Sequence, residues 1–312
     1  MLKKNNSQKN KLIKLPSFAI AGAAKSGTTS LSRYLAGHPE VYLPAQEMNY
    51  FAFARHAPDY TVAHSKLMNT FDRYQSFYRF TYEKAPHITG EKSVSYLYRP
   101  WVNHVIKNIK AIHPLGESLK IILILRHPVD RMYSQYIFNT RNNERLPFKQ
   151  AIKAWPQRKT QGWVPAYDYI GASYYAEAVK AYLESFSYVK VVLFDDLKTN
   201  PQEMVKELYQ FLEVESDFIP QKLGESFNFS GLPNKSMFAK AYSLNWIRRI
   251  ISSLKKTLPN DITEKVALSV KSKAVYKPEL DNETRGELTE LFREDIRKLE
   301  KTINRDLSHW LT

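Results

Sequence analysis

Strands alternate with helices along this chain, and that order predicts a three-layer α/β domain whose central, mainly parallel sheet is flanked by helices. Three observations carry the expectation. Residues 119–125 (LKIILIL) form a near-continuous apolar run, the pattern of a strand buried on both faces. Residues 189–194 (VKVVLF) repeat it more briefly, between two helical patterns. At the start, the apolar segment 18–21 runs into a small-residue turn, 22–29, and then into a helix over 30–35, which is a βα unit.

Taken in order, His38-Pro39 ends that first helix and residues 41–43 read as a second short strand. Residues 44–50 are a loop, and the aromatic, polar stretch 59–82 predicts irregular helix on the rim. Residues 90–96 predict a strand and turn, and 101–112 a helix. After the strand at 119–125, Arg126-His127-Pro128 closes it and a helix runs over 129–139. Residues 171–186 predict one helix, with Tyr174, Ala178, Ala181 and Tyr182 at helical spacing. The strand 189–194 leads through an Asp195-Asp196-Leu197 turn to a helix over 201–212, with Pro201 in its first turn. The C-terminal helix, 282–303, places Leu288, Leu291, Phe292, Ile296 and Leu299 on one apolar face.

Composition narrows the function. With 312 residues and 43% hydrophobic residues the chain can bury a sizeable core. It contains no cysteine, so disulfides and thiolate metal sites are excluded. The net charge of +15 implies anionic partners. Nucleic acid is not among those expected, because no helix-turn-helix, zinc-finger or RNA-recognition signature accompanies the charge. No apolar run is long enough to span a membrane, and after Lys3 and Lys4 the start is polar rather than apolar. The expected location is therefore cytoplasmic, with peripheral contact at the inner membrane surface as the furthest departure.

The turn 22–29 (GAAKSGTT) is the most informative stretch. Small residues let consecutive N–H groups converge on one oxyanion, and the following helix adds the positive end of its dipole. Gly22 and Gly27 supply backbone conformations closed to residues with a Cβ. Against the standard Walker pattern Gly22, Gly27 and Thr29 fit, but Thr28 stands in place of the phosphate-gripping lysine, and the lysine comes earlier, at Lys25. That mismatch points away from ATP or GTP hydrolysis and toward an anion cradle for another transferable group.

The cradle, the loop after the second strand and the Leu125-Arg126-His127-Pro128 turn together resemble the PAPS-dependent sulfotransferases, especially the heparan sulfate branch and its bacterial relatives. The resemblance runs from about residue 18 to 310 and implies a P-loop-like fold. The charge run at the start predicts a basic tail without fixed structure at 1–15, and the resemblance implies a sulfotransferase domain at 16–312, with a divergent helical segment at about 241–268. The implied donor is PAPS, the product PAP, and no metal is required. Lys25, Ser26, Gly27, Thr28 and Thr29 are expected to hold the 5′-phosphosulfate, with Lys25 on the oxygen that gains charge as the phosphorus–sulfur bridge breaks. Arg126, and Ser134 eight positions later, resemble the family's 3′-phosphate pair. Lys271 and Lys273 fall where the family has a basic loop over the nucleotide.

Glu47 matches the branch's catalytic glutamate, the base that takes the acceptor's proton. The family often has histidine two residues later, where this chain has Asn49. Lys92 resembles a lysine near the transferred group and the acceptor, with Glu91 as a possible simple partner. Trp163, Tyr167 and Tyr174 are the expected acceptor-side aromatics, for a carbohydrate or glycolipid hydroxyl rather than an amine. In 241–268, Trp246, Ile247, Ile250, Ile251, Leu254 and Leu258 form an apolar stripe edged by cations, fitting a rim helix or one that docks on anionic membrane. Two other readings compete. Val191–Asp196 has Walker-B form, favouring a P-loop small-molecule kinase or NTPase, and the charge alone would suit a non-enzymatic polyanion-binding protein.

Overall fold

The computed structural model describes residues 15–54, 60–61, 70–79, 86–225, 232–233, 275–276 and 278–312. The expectations for the basic tail, for the segment 241–268 and for Lys271 and Lys273 lie outside the described residues.

The strands Phe18–Ile20 (β1), Val41–Tyr42 (β2), Ile88–Lys92 (β3), Lys120–Leu125 (β4) and Val189–Leu193 (β5) pair in parallel, in the order β2-β3-β1-β4-β5. Strand alternation divides the core between the two faces. Phe18, Ile20, Ile122 and Ile124 point to one side, where they meet the helices Thr28–Ala36 (α1) and Pro201–Leu212. Ala19, Ala21, Ile121, Leu123 and Leu125 point to the other, against the helices Val102–Ile112, Ala176–Ser185 and Asn282–Ile303. Each fully buried Ile or Leu contributes on the order of 1.5–3 kcal/mol relative to leaving it exposed, so the register of β4 is strongly specified. The result is the expected three-layer sandwich.

Three local differences have physical causes. The expected helix 171–186 is broken: Gly171–Ser173 is a 3-10 turn, Tyr174 is extended, and the α-helix starts at Ala176. The Asp168 carboxylate accepts from the Gly171 N–H (2.8 Å) and closes that turn. Asp295, from the last helix, accepts from the Tyr175 N–H (2.7 Å) and the Ala176 N–H (3.2 Å), giving the helix a start supplied from elsewhere in the chain. The Asp195-Asp196-Leu197 turn is itself helical, within Phe194–Thr199. On the C-terminal helix Leu288, Phe292, Ile296 and Leu299 are buried, but Leu291 is exposed.

All the site-bearing loops leave the carboxyl ends of their strands. From β1 the chain goes to β2 on one side and later to β4 on the other, so the crevice beyond β1 and β4 is the topological switch point of the sheet, where α/β folds bind ligands.

Candidate active site

A cleft of about 770 Å³ opens at that switch point, and Lys25, Glu47, Lys92, Arg126 and Ser134 all line it. They come from the loop after β1, the loop after β2, the end of β3, the residue after β4 and the helix Pro128–Asn139 (α2).

The cradle is built as its residue types require. Gly22 and Gly27 have φ of 139° and 92°, and a Cβ on Gly27 would lie 2.8 Å from the side chains of Leu197 and Phe194. The Leu31 N–H is the first to bond back into α1, to the Gly27 carbonyl (3.0 Å), so the N–H groups before it have no intrahelical acceptor. Gly27, Thr28, Thr29 and Ser30 carry them along the cleft wall. Ser26 is fully buried, against the Tyr175 side chain.

Lys25 has a left-handed backbone (φ 66°) and holds its ammonium 4.4 Å from the centre of the Phe138 ring. Burial, with Arg141 and Arg126 nearby, lowers its pKa to about 8, while Glu47 pulls the other way. Arg126 donates from Nη1 to the Lys25 carbonyl (3.1 Å) and lies over the Phe194 ring (4.7 Å). Its Nε is buried without a hydrogen-bond partner, and burial lowers its pKa. An orphaned guanidinium N–H beside a cradle of helix-start N–H groups fits a phosphate-bearing nucleotide. His127 and Asp130 shape the turn: His127 Nδ1 accepts from the Val129 N–H (3.2 Å), and Asp130 pairs with Arg285 of the last helix (2.6 Å).

Glu47 and Lys92 meet across a single parallel bridge, with Lys92 Nζ 3.9 Å from Glu47 Oε1. Lys92 is buried, and burial lowers its pKa against the pull of Glu47; Glu47 is 38% exposed to the cleft. Strand alternation sends Glu91 to the opposite face, where its Oε1 accepts from Ser93 Oγ (3.3 Å) and burial raises its pKa to about 7. Glu91 is therefore not the partner of Lys92; Glu47 is. Asn49, at the histidine position, fastens this loop: its Oδ1 accepts from Ser95 Oγ (2.7 Å) and its N–H donates to Ser93 Oγ (3.0 Å).

The acceptor-side aromatics named from sequence do not line the cleft. Trp163 and Tyr167 pack on each other (4.7 Å) and on the Arg158 guanidinium, which pairs in two-pronged fashion with the buried Glu144 (2.7 Å each). Tyr167 has no exposed surface. Tyr174 packs on Phe292 of the last helix (5.0 Å), with Arg99 over its ring. The residues that do line the wall are Phe53, Leu97, Tyr98 and Trp101, which sequence reasoning missed; their one signal was closeness in sequence to Glu47 and Lys92. The Walker-B-like acids are engaged elsewhere. Asp196 takes both prongs of Arg305 (3.0 and 3.1 Å), and Asp195 accepts from Trp310 Nε1 (2.9 Å).

Comparison with known proteins identifies the family. Residues 16–218 match the model of the sulfotransferase family. A crystal structure of a sulfotransferase from Alicyclobacillus acidocaldarius superposes with a TM-score of 0.69 and 27% identity, over 96% of this chain and all of that one. The human bifunctional heparan sulfate N-deacetylase/N-sulfotransferase 3 is 22% identical over 96% of this chain and 31% of its own length. The membrane-associated sulfotransferase kil1 of Dictyostelium discoideum is 30% identical over 41% of this chain and 24% of its own. The chain thus spans less than a third of the length of either relative. A matched family model across most of the described core, with the cradle and cleft in place, makes this chain a member of the sulfotransferase family.

Proposed function

We propose that the protein transfers a sulfuryl group from PAPS to a hydroxyl of a carbohydrate or glycolipid acceptor by in-line displacement. The convergence of Lys25, Glu47, Lys92, Arg126 and Ser134 on one cleft carries this reading. PAPS supplies the activated sulfuryl group and leaves as PAP. Ser26, Gly27, Thr28 and Thr29 hold its 5′ end, and Arg126 and Ser134 its 3′-phosphate. Lys25 meets the charge that grows on the bridging oxygen, an interaction stronger in the transition state than before it. Glu47 takes the acceptor's proton as its oxygen attacks sulfur, and Lys92 orients Glu47 and the incoming group. Lys271 and Lys273, outside the described residues, are proposed to close over the nucleotide.

The human relative is named as an N-sulfotransferase, which makes an amine the competing acceptor. Mass spectrometry of sulfated products, locating the group on oxygen or nitrogen, decides between them. Glu47→Gln keeps the side chain's size but cannot accept a proton, so transfer should fall by about 10²–10⁴ with PAP affinity unchanged. Full activity of Glu47→Gln across the pH range would place the base elsewhere. Peripheral contact with anionic membrane is proposed on the stripe in 241–268; among the described residues no helix is long and apolar enough to cross a membrane. Vesicle co-sedimentation of wild type and Ile250→Asp tests it, and equal binding by both would refute it.

A further inference from the structure

The cleft has two chemically distinct sides. Its cations gather at the cradle: Lys25 over Phe138, and Arg126 and Lys198 over the single Phe194 ring (4.7 and 4.9 Å). Arg131, also lining the cleft, is buried and bonded to Ser173 Oγ (2.7 Å) and the Tyr169 carbonyl (2.8 Å). Past the Glu47–Lys92 pair the lining changes. The loop carrying Glu47 continues into the helical turn Tyr50–Phe53, and the strand carrying Lys92 continues into residues 94–101. Those two continuations meet: Phe53 packs edge-on against Trp101 (5.4 Å), and Trp101 against Tyr98 at 89° (5.1 Å). Leu97 and Val164 extend the same wall. The Tyr98 hydroxyl is already committed, donating to the buried Asp168 (2.7 Å), so that ring offers its carbon surface.

Among the described residues this wall carries little charge. Lys92 is answered by Glu47, and the other cation among the described residues lining this side is Arg73, which is exposed. A polyuronate or sulfated glycan laid along it would give up the hydration of its charges with almost no cation among the described residues to replace it. An uncharged alkyl or ring surface would gain from burial and from the aromatic edges. We infer that the acceptor is a neutral amphiphilic alcohol, which brings an apolar body against Phe53, Leu97, Tyr98 and Trp101 beside the reacting hydroxyl, and is not a polyanionic glycan. This rests on the transfer reading above and narrows its acceptor.

The test is a chain-length series. The 312-residue chain, saturated with PAP, is titrated calorimetrically with methyl, butyl, hexyl and octyl glucosides below their micelle concentrations, and with a polyuronate. Affinity should rise about fourfold for each added methylene until the wall is covered, the equivalent of about 0.8 kcal/mol per buried CH₂. Trp101→Ala should flatten the series, and Ala166→Glu, which sets a carboxylate on the cleft lining, should weaken octyl glucoside at least tenfold; unchanged PAP affinity in both variants reports an intact fold. A flat series in the wild type, or tighter binding of the polyuronate than of octyl glucoside, overturns the inference. Transfer from labelled PAPS, measured on the same samples, keeps the two readings apart. A steep series without transfer refutes sulfuryl transfer and leaves the wall's preference standing, and transfer with a flat series does the reverse.

Discussion

Lys25 shows how much of the chemistry rests on single side chains. Its ammonium is partly desolvated and has Arg126 and Arg141 for neighbours, so in the free protein it loses its proton near pH 8. An anionic ligand favours the charged form, so the pKa is higher when PAP is bound. The sign follows from linkage: below pH 7 both states hold the Lys25 proton, and Lys25 adds no pH dependence of its own. Above pH 8 binding must first take up a proton, and the Kd for PAP should rise about tenfold per pH unit until the bound ammonium itself titrates. Lys25→Met should bind PAP more weakly at neutral pH and lose this dependence; calorimetry at several pH values in buffers of different ionisation enthalpy checks both. Arg126 gives a different signature. Arg126→Ala should weaken PAP by roughly 1.5–3 kcal/mol, as for a lost charge-assisted hydrogen bond, and leave adenosine 5′-phosphosulfate almost unaffected. Equal losses for the two ligands would remove the 3′-phosphate assignment. Both residues were legible in the sequence because Arg126 directly follows the apolar run of β4 and Lys25 lies in the small-residue turn that leaves β1. The wall of Phe53, Leu97, Tyr98 and Trp101 was not. With 13% aromatic residues, nothing local separates an aromatic that faces a cleft from one consumed by a buried pair such as Arg158–Glu144.

Among the elements, the helix Ala176–Ser185 is the one whose start could not be read locally. Its N-terminal N–H groups are capped by Asp295, more than a hundred residues away, so the break at Tyr174 is a tertiary decision. Asp295→Ala should cost about 1–2 kcal/mol, the usual worth of an N-cap, lowering the urea midpoint without changing the slope of the transition. Asp295→Asn, which keeps an acceptor oxygen, should recover part of it. Because Tyr175, at that cap, lies against Ser26 of the cradle, Asp295→Ala should also loosen PAP modestly; unchanged PAP binding would uncouple the cap from the site. Strands β1, β4 and β5 were legible as apolar runs. The short strand β2 was legible at 41–43 and forms at Val41–Tyr42. The face of the last helix was less so: Leu291 satisfies helical spacing with Leu288 yet stays in solvent, because spacing alone cannot say how wide the covered stripe is.

For the molecule as a whole, the net charge of +15 predicts long-range attraction of anionic ligands into a cleft whose cations crowd one side. The association rate of PAP should therefore fall with added salt, while affinity for a neutral alkyl glucoside should hardly respond; stopped-flow and calorimetric salt series check the contrast. The fold class followed from the order of strands and helices, since a parallel sheet needs the crossovers that such an order supplies. The order β2-β3-β1-β4-β5, and with it the place of the cleft, depended on pairings that no local pattern encodes.

The fastening of Asp195 and Asp196 bears on how far this chain stands, in evolutionary terms, from a nucleotide hydrolase. Substituting Thr28→Lys would restore the spelling of a Walker loop in one step. The acids that a hydrolase would turn toward its metal are instead the anchor of the C-terminal segment, through Arg305 and the buried Trp310. Freeing them would unpin that segment, so the rewiring passes through variants that fold less well before any gain appears. Thr28→Lys alone should show no magnesium-dependent ATP hydrolysis, and adding Arg305→Ala should lower the melting temperature without creating it.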